Sequence, residues 1–249
     1  MKPFLILCFC FNFLYSFSQD KNQFYALDQN MNQTTLDSSK YILWIHEKDS
    51  TDWQWDYYYT WGHLIKSTTY ADHDGTILNG RFCIYNSLGN LDSMGIYDHG
   101  KKNGSFYRYK TFGRDSVGIT GQYDYVQDSL LKSIDLLAEP LKNKVPDSTN
   151  GTESEYPGGI TKWTYYLNHN LVYPDRALTK KIQGQVQISF IVDPEGNVVD
   201  PFIQKSVEYS VDQESIRVIK NSGKWIPSML DGVYKKSYKV IPINYKLQD

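Results

Sequence analysis

The spacing of apolar positions along the chain changes twice, and each change predicts a different kind of structure. Between Trp53 and Tyr125, aromatic residues recur in short extended runs separated by Gly and Asn-Gly turns. Gly80-Arg81-Phe82-Cys83-Ile84-Tyr85-Asn86-Ser87-Leu88-Gly89 aligns with Gly104-Ser105-Phe106-Tyr107-Arg108-Tyr109-Lys110-Thr111-Phe112-Gly113, and Gly95-Ile96-Tyr97 is echoed by Gly121-Gln122-Tyr123. A single hairpin cannot bury its own face, so such units must stack side by side into a β-hairpin array. Leu130, Leu131, Ile134 and Leu137 then fall at helical spacing, which predicts a helix over residues 127–138 that closes the array. Upstream, residues 19–52 read as an irregular segment, apart from one strand at Tyr41-Ile42-Leu43-Trp44-Ile45.

The second change follows a linker. Pro140, Pro146 and the run Asp147-Ser148-Thr149-Asn150-Gly151-Thr152 mark residues 139–154 as a connection between a repeat domain at 53–138 and a second core at 155–249. In the second core, Trp163, Tyr166, Leu167 and Leu171 recur at helical spacing, and Pro174 sits where a short second helix through Ala177 and Leu178 begins. From Val186 the period becomes two, through Ile188, Phe190 and Val192. Asp193-Pro194-Glu195-Gly196-Asn197 supplies a turn and Val198 resumes the extended run, which makes a hairpin. Asp212 is placed to cap a helix that turns Ser215, Val218 and Ile219 inward and stops at Asn221-Ser222-Gly223. The chain returns as a strand with Ile241, Ile243, Tyr245 and Leu247 on one face and Tyr238 and Val240 on the other.

The ordered series in this second core carries a resemblance. Glu155-Tyr156-Pro157-Gly158-Gly159, Tyr173-Pro174, Ile182-Gln183-Gly184-Gln185-Val186, Phe190-Ile191-Val192-Asp193-Pro194-Glu195-Gly196-Asn197-Val198 and Lys224-Trp225-Ile226-Pro227, closing on the strand through Ile243, resemble the TonB C-terminal domain family. The departures are Ser215, where an alanine is common, and Asp231-Gly232-Val233-Tyr234-Lys235-Lys236 in place of the usual turn. The resemblance implies an α+β unit with two or three helices packed on a three-stranded antiparallel sheet. It also implies a periplasmic protein that binds an outer-membrane transporter by adding an extended segment to its last strand, and that takes part in energy-coupled transport. In these terms the partner-binding residues are Tyr173, Pro174, Arg176, Ser237, Tyr238, Lys239, Val240 and Ile241. Pro242 suits an edge strand, because proline lacks the N–H that an interior ladder needs. The aromatic hairpin units, about three between Trp53 and Tyr125, are similar to the MORN-type repeats of bacterial exported proteins.

The N-terminus bears on where such a module works. Lys2 precedes an apolar run over residues 4–17, and Ser16-Phe17-Ser18 offers small residues for cleavage before Gln19, so residues 1–18 read as a signal peptide. At about 14 residues the run falls short of the roughly 20 that span a hydrocarbon core, and a retained, uncleaved N-terminal anchor is the alternative. Of the three cysteines, Cys8 and Cys10 leave with the signal, so the exported chain keeps Cys83 alone, in a half-buried strand context.

The charge is nearly balanced, at −2, and loss of Lys2 makes it −3, so nucleic acid and anionic membranes are poor partners. Asp72-His73-Asp74 and Asp98-His99 contain metal-ligand residue types but precede turn glycines, where short polar residues serve the turn. No nucleophile motif and no phosphate-cradling Gly-rich loop is present. The expectation is a binding protein without catalytic residues, cofactor or metal. The alternative is a passive exported scaffold that contacts proteins without transducing energy.

Overall fold

The computed structural model describes residues 21–48, 51–112, 116–136 and 151–247; the expected signal peptide and most of the expected linker lie outside them. The strands β1 (Asn22–Leu27), β2 (Tyr41–Glu47), β3 (Trp53–Tyr59), β4 (Leu64–Tyr70), β5 (Leu78–Tyr85), β6 (Leu91–Asp98), β7 (Lys101–Lys102), β8 (Gly104–Phe112), β9 (Ser116–Val126) and β10 (Ser129–Asp135) form one ten-stranded sheet. All pairings are antiparallel, in chain order, with the short β7 set beside β6. This is the array that the Gly–aromatic period predicts.

Two expectations are corrected here. Residues 19–52 are not irregular among the described residues: β1 and β2 are the first strands of the sheet, paired from Asn22 with His46 to Leu27 with Tyr41. The closing helix is also absent over the described residues 127–136. Gln127 and Asp128 both take positive φ, 48° and 71°, and reverse the chain so that β10 pairs with β9. Asp128 is held across the turn, its amide donating to Lys102 O at 3.0 Å and its carboxylate accepting from Lys102 N at 2.8 Å. Leu130 and Leu131 remain exposed, and the pairing demand of β9 prevails over local periodicity.

The sheet has two distinct faces. A row of direct register partners crosses it from edge to edge: Phe24, Trp44, Asp56, Ser67, Cys83, Met94, Tyr107, Gln122 and Ile134. Directly paired residues share a face, so this row defines the inner face, which covers the C-terminal unit. On the outer face Phe82, Tyr97, Phe106 and Tyr125 form a chain of edge-to-face ring contacts at 5.3–5.8 Å. Gly95 lies beneath that chain, where an added Cβ would come within 2.1 Å of the Phe106 ring. The repeat glycine is therefore a space requirement of the neighbouring strand's aromatic ring. A Gly95→Ala variant is expected to lose about 1–3 kcal/mol of stability by displacing Phe106, and urea unfolding with no change in midpoint would refute this account.

The C-terminal unit consists of β11 (Gly151–Thr152), α1 (Gly159–Asn170), α2 (Asp175–Thr179), β12 (Gly184–Val192), β13 (Val198–Lys205), α3 (Tyr209–Lys220), β14 (Ser228–Leu230), β15 (Val233–Lys235) and β16 (Ser237–Tyr245). Three helices accompany a three-stranded antiparallel sheet in the order β13-β12-β16, and β11-β14-β15 make a second small sheet. The expected hairpin turn forms at Asp193, whose carboxylate accepts from the backbone N–H groups of Glu195 and Asn197 at 3.0 and 2.7 Å. Helix α3 starts earlier than the Asp212 cap predicts. Glu208 is the N-cap, accepting from Ser210 N at 2.8 Å, and Asp212 lies inside the first turn.

The sequence separates two cores at the linker, whereas the buried side chains of both units meet in one cluster. Tyr58, Leu64, Cys83, Tyr85 and Leu91 of the large sheet belong to it together with Trp163, Phe190, Val218, Trp225 and Tyr245. Phe24 and Trp44 also pack their rings on Tyr209 of α3, at 5.2 and 5.4 Å. A second, smaller cluster around Leu27, Leu43 and Ile45 is confined to the N-terminal strands. Cys83 is 1% exposed, and burial pushes its thiol up to about 12, so it is an unreactive core residue at neutral pH.

Candidate functional site

Strand β16 is an edge. Its register with β12 runs unbroken from Gly184 opposite Tyr245 to Val192 opposite Ser237, and among the described residues no further strand follows it in that sheet. Alternation sets its two faces. Ile243 and Tyr245 are buried against the helices, and the Tyr245 hydroxyl donates to Val211 O at 3.1 Å and lies 3.0 Å from Ser215 Oγ. Ser215, a departure from the family's usual alanine, is therefore the polar partner of a buried tyrosine, and its own hydroxyl donates to Val211 O at 2.7 Å. Tyr238 and Val240 point the other way and are 68% and 46% exposed.

At the leading end of β16 the chain is tied to the segment before α1. Lys239 Nζ pairs with Glu153 Oε2 at 3.0 Å, and Ser237 Oγ donates to the buried Ser154 Oγ at 2.8 Å. Pro242 sits opposite Gln187 in the ladder. In an antiparallel pair, alternate residues turn their N–H and C=O groups away from the partner, and proline belongs at such outward positions. Tyr238 and Val240 share its parity, so their backbone groups are assigned to the open side.

Ser237, Tyr238, Lys239, Val240 and Ile241 thus form one continuous stretch of edge. Tyr173, Pro174 and Arg176 are placed elsewhere. Tyr173 packs edge-to-face on Tyr245 at 5.4 Å, at the opposite end of β16, and its hydroxyl donates to Ile182 O. Pro174 is the N-cap of α2, with φ −66°. Arg176 belongs to the junction between the two units: its Nε donates to Glu208 Oε1 at 2.6 Å, a guanidinium nitrogen donates to Thr60 O, and its charge lies 4.0 Å from the Trp61 ring centre. These three residues build the unit, while the edge is built by the other five.

Reading the sequence overlooked the junction. Glu208 and Asp212 are both fully buried, one turn apart on the same side of α3 as Ser215 and Ile219. Ser206 links them to the sheet: its backbone N–H donates to Gly89 O at 2.8 Å, its hydroxyl accepts from Leu64 N at 2.7 Å, and it donates to Asp212 Oδ2. Val207 N donates to Asp212 Oδ1 at 3.0 Å. Desolvation pushes the Asp212 carboxyl up to about 8, with the nearby Glu208 charge adding to the rise and the Ser206 and Val207 donors opposing it. Two acids aligned with an apolar helix stripe were the available signal, because such a placement requires partners from outside the helix.

A second surface lies across β6, β8 and β9 of the large sheet, where a cleft of about 320 Å³ is lined by the outer-face rings of Phe82, Phe106, Tyr123 and Tyr125 and also reached by Asp92, Lys102 and Arg108. No group of three or more His, Cys, Asp or Glu side chains suited to a metal occurs among the described residues. Among the same residues, no helix is long and apolar enough to cross a membrane.

The C-terminal unit is thus an α+β module that presents an unpaired antiparallel edge. Residues 169–247 match the family described as the Gram-negative bacterial TonB protein C-terminal. The matched segment begins within α1 and contains α2, β12, β13, α3 and β16. Tyr156 and Trp163 lie outside it, yet pack on Trp225 within it at 5.5 Å each. No curated protein and no solved structure matches the chain.

Proposed function

We propose that this chain is an exported, TonB-like interaction protein whose C-terminal unit takes up an extended segment of an outer-membrane transporter along β16. The observation that carries the reading is the open edge of β16 inside the segment that matches the TonB C-terminal family. An edge strand offers a row of unpaired main-chain donors and acceptors, which give affinity for any extended chain, while alternate side chains such as Tyr238 and Val240 select among chains. The signal-like residues 1–18 support a place in the periplasm or at the envelope, and participation in energy-coupled transport is what the likeness to the TonB C-terminal family suggests. The chemistry is binding, without catalysis or a cofactor. The MORN-type array is the scaffold on which the module is mounted.

A passive scaffold without energy transduction is the second reading, favoured by the aromatic cleft of the large sheet, which offers a second contact surface apart from β16.

Proline at an outward-donating position tests the edge. Tyr238→Pro and Val240→Pro each remove one N–H from the open side and restrict the backbone, so affinity for peptides from the periplasm-facing N-terminal segments of outer-membrane transporters should fall by about tenfold or more. Alanine at the same positions keeps the donor and should weaken binding less. Circular dichroism and melting temperature establish that each variant is folded. Unchanged affinity in both folded proline variants would refute strand addition at β16, and failure of every such peptide to bind the natural chain would favour the scaffold.

A further inference from the structure

The large sheet extends further than the unit it covers, and the order in which the two sheets stack shows what lies under the overhang. At one edge, β5 holds β13. Arg81 donates to Asp200 Oδ1 at 2.9 Å and sits 4.0 Å from the Phe202 ring centre, while the Tyr85 hydroxyl donates to Ile203 O at 2.7 Å. The start of β6 follows, with Asn90 paired to Lys205 at the end of β13. Towards the other edge, Met94 of β6 and Tyr109 of β8 pack on the shared core, and Tyr238 of β16 lies within electrostatic reach of the Tyr109 phenol. β5 and the start of β6 therefore lie over β13, and β8 lies towards β16, so the two sheets run in the same direction. Strands in a sheet are about 4.8 Å apart and facing sheets about 10 Å apart. The next place outside β16 lies under β9 and β10.

We propose that β9 and β10 form the second wall of the cleft at the open edge of β16, so that an extended segment added to β16 has every second side chain read by the inner face of the large sheet. The proposal rests on the strand-addition reading of β16 and extends it to the repeat unit. The register row identifies the wall. Tyr107 pairs with Gln122 and Gln122 with Ile134, on the face that carries Cys83 into the core. Beside them Gln122 Nε2 donates to Asp124 Oδ1 at 3.0 Å and Ser105 Oγ donates to the same oxygen at 2.6 Å. The Ser105 and Gln122 donors, together with the charge of Lys132 opposite, keep the carboxyl below its usual range and therefore ionised.

A wall of one amide, one aliphatic side chain and an Asp124 carboxylate faced by Lys132, its register partner on β10, suits an extended polypeptide with hydrogen-bonding side chains at alternate positions. It does not suit a uniformly apolar strand, which would desolvate Gln122, Asp124 and Lys132 without giving them further partners.

The test uses the full chain and ten-residue peptides tiling the periplasm-facing N-terminal segments of outer-membrane transporters. For a peptide that binds, Gln122→Lys and Ile134→Lys should each weaken affinity by about tenfold. Ser133→Lys, on the opposite face of β10, should leave affinity unchanged. Benzophenone placed at successive positions of the same peptide provides a readout on the unaltered protein: alternate positions should cross-link to residues 122–124 and 132–134. Unchanged affinity in folded Gln122→Lys and Ile134→Lys variants, or cross-links that avoid β9 and β10, would overturn the second wall while leaving β16 to be judged by the proline variants. Failure of all peptides to bind would overturn both.

Discussion

A Trp225→Ala variant should lose about 3–5 kcal/mol of stability, the usual cost of deleting a buried indole. Trp225 is 5% exposed and its ring is surrounded by Tyr156, Trp163 and Phe190, with ring centres 5.1–5.5 Å away. Its indole N–H donates to Ser222 Oγ at 2.9 Å, so truncation also removes one hydrogen bond from a buried hydroxyl that keeps only its bond to Ile219 O at 2.7 Å. The backbone here is equally constrained. Gly196 holds φ 83°, and a Cβ there would approach Trp225 O to 2.3 Å, so the hairpin turn and the Trp225 segment are packed without slack. Because the aromatic cluster is continuous with the core under the large sheet, the loss should appear in one cooperative transition, followed by both tryptophan fluorescence and far-ultraviolet circular dichroism. A shift of less than about 1 kcal/mol would mean that the ring is not held as described.

The second large effect concerns Asp212. The folded chain retains this proton up to about pH 8, whereas an unfolded chain releases it near the ordinary aspartate value of 3.8. Between those limits the folded state binds more protons, so the contribution of Asp212 to stability is greatest at low pH. It is lost as pH rises through the window, with a slope of up to about 1.4 kcal/mol per pH unit, and levels off above about pH 8. Asp212→Asn removes the titration while keeping an acceptor for Val207 N. The variant should therefore gain on the natural protein as pH increases from 5 to 8. Urea unfolding of both proteins across that range measures the difference directly, and parallel stability curves would rule out a buried, protonated Asp212. Glu208, Tyr58 and Ser206 surround the carboxyl on the α3 and sheet sides, and Arg176 reaches Glu208, so the difference between the two proteins isolates Asp212 from the titration of its neighbours.

These two sites also show how far local pattern carries. Strand alternation from Val186 to Val192, the turn at Asp193-Pro194-Glu195-Gly196-Asn197, the helical spacing at Trp163 and Tyr166 and the inward set of Val218 and Ile219 all reappear in place. They do so because a strand or helix with one apolar face has only one way to bury it. The same rule separates Tyr238 and Val240 from Ile243 and Tyr245, so the face that β16 exposes was legible before the structure. The Gly–aromatic period predicted an antiparallel array, and Gly95 beneath Phe106 supplies its physical reason.

What required the tertiary structure is every relation between segments distant in sequence. The pairing of β10 with β9 displaces a helix whose spacing looked sound. Arg176, read as a contact residue, is drawn to Glu208 and Thr60, because a buried carboxylate at the start of α3 needs a cation and the turn after β3 presents a carbonyl within reach. The continuous core, the Ser206–Asp212 junction and the overhang of β9 and β10 beyond β16 depend on how two sheets stack. Periodicity along one strand reports which side is apolar, and says nothing about what covers it.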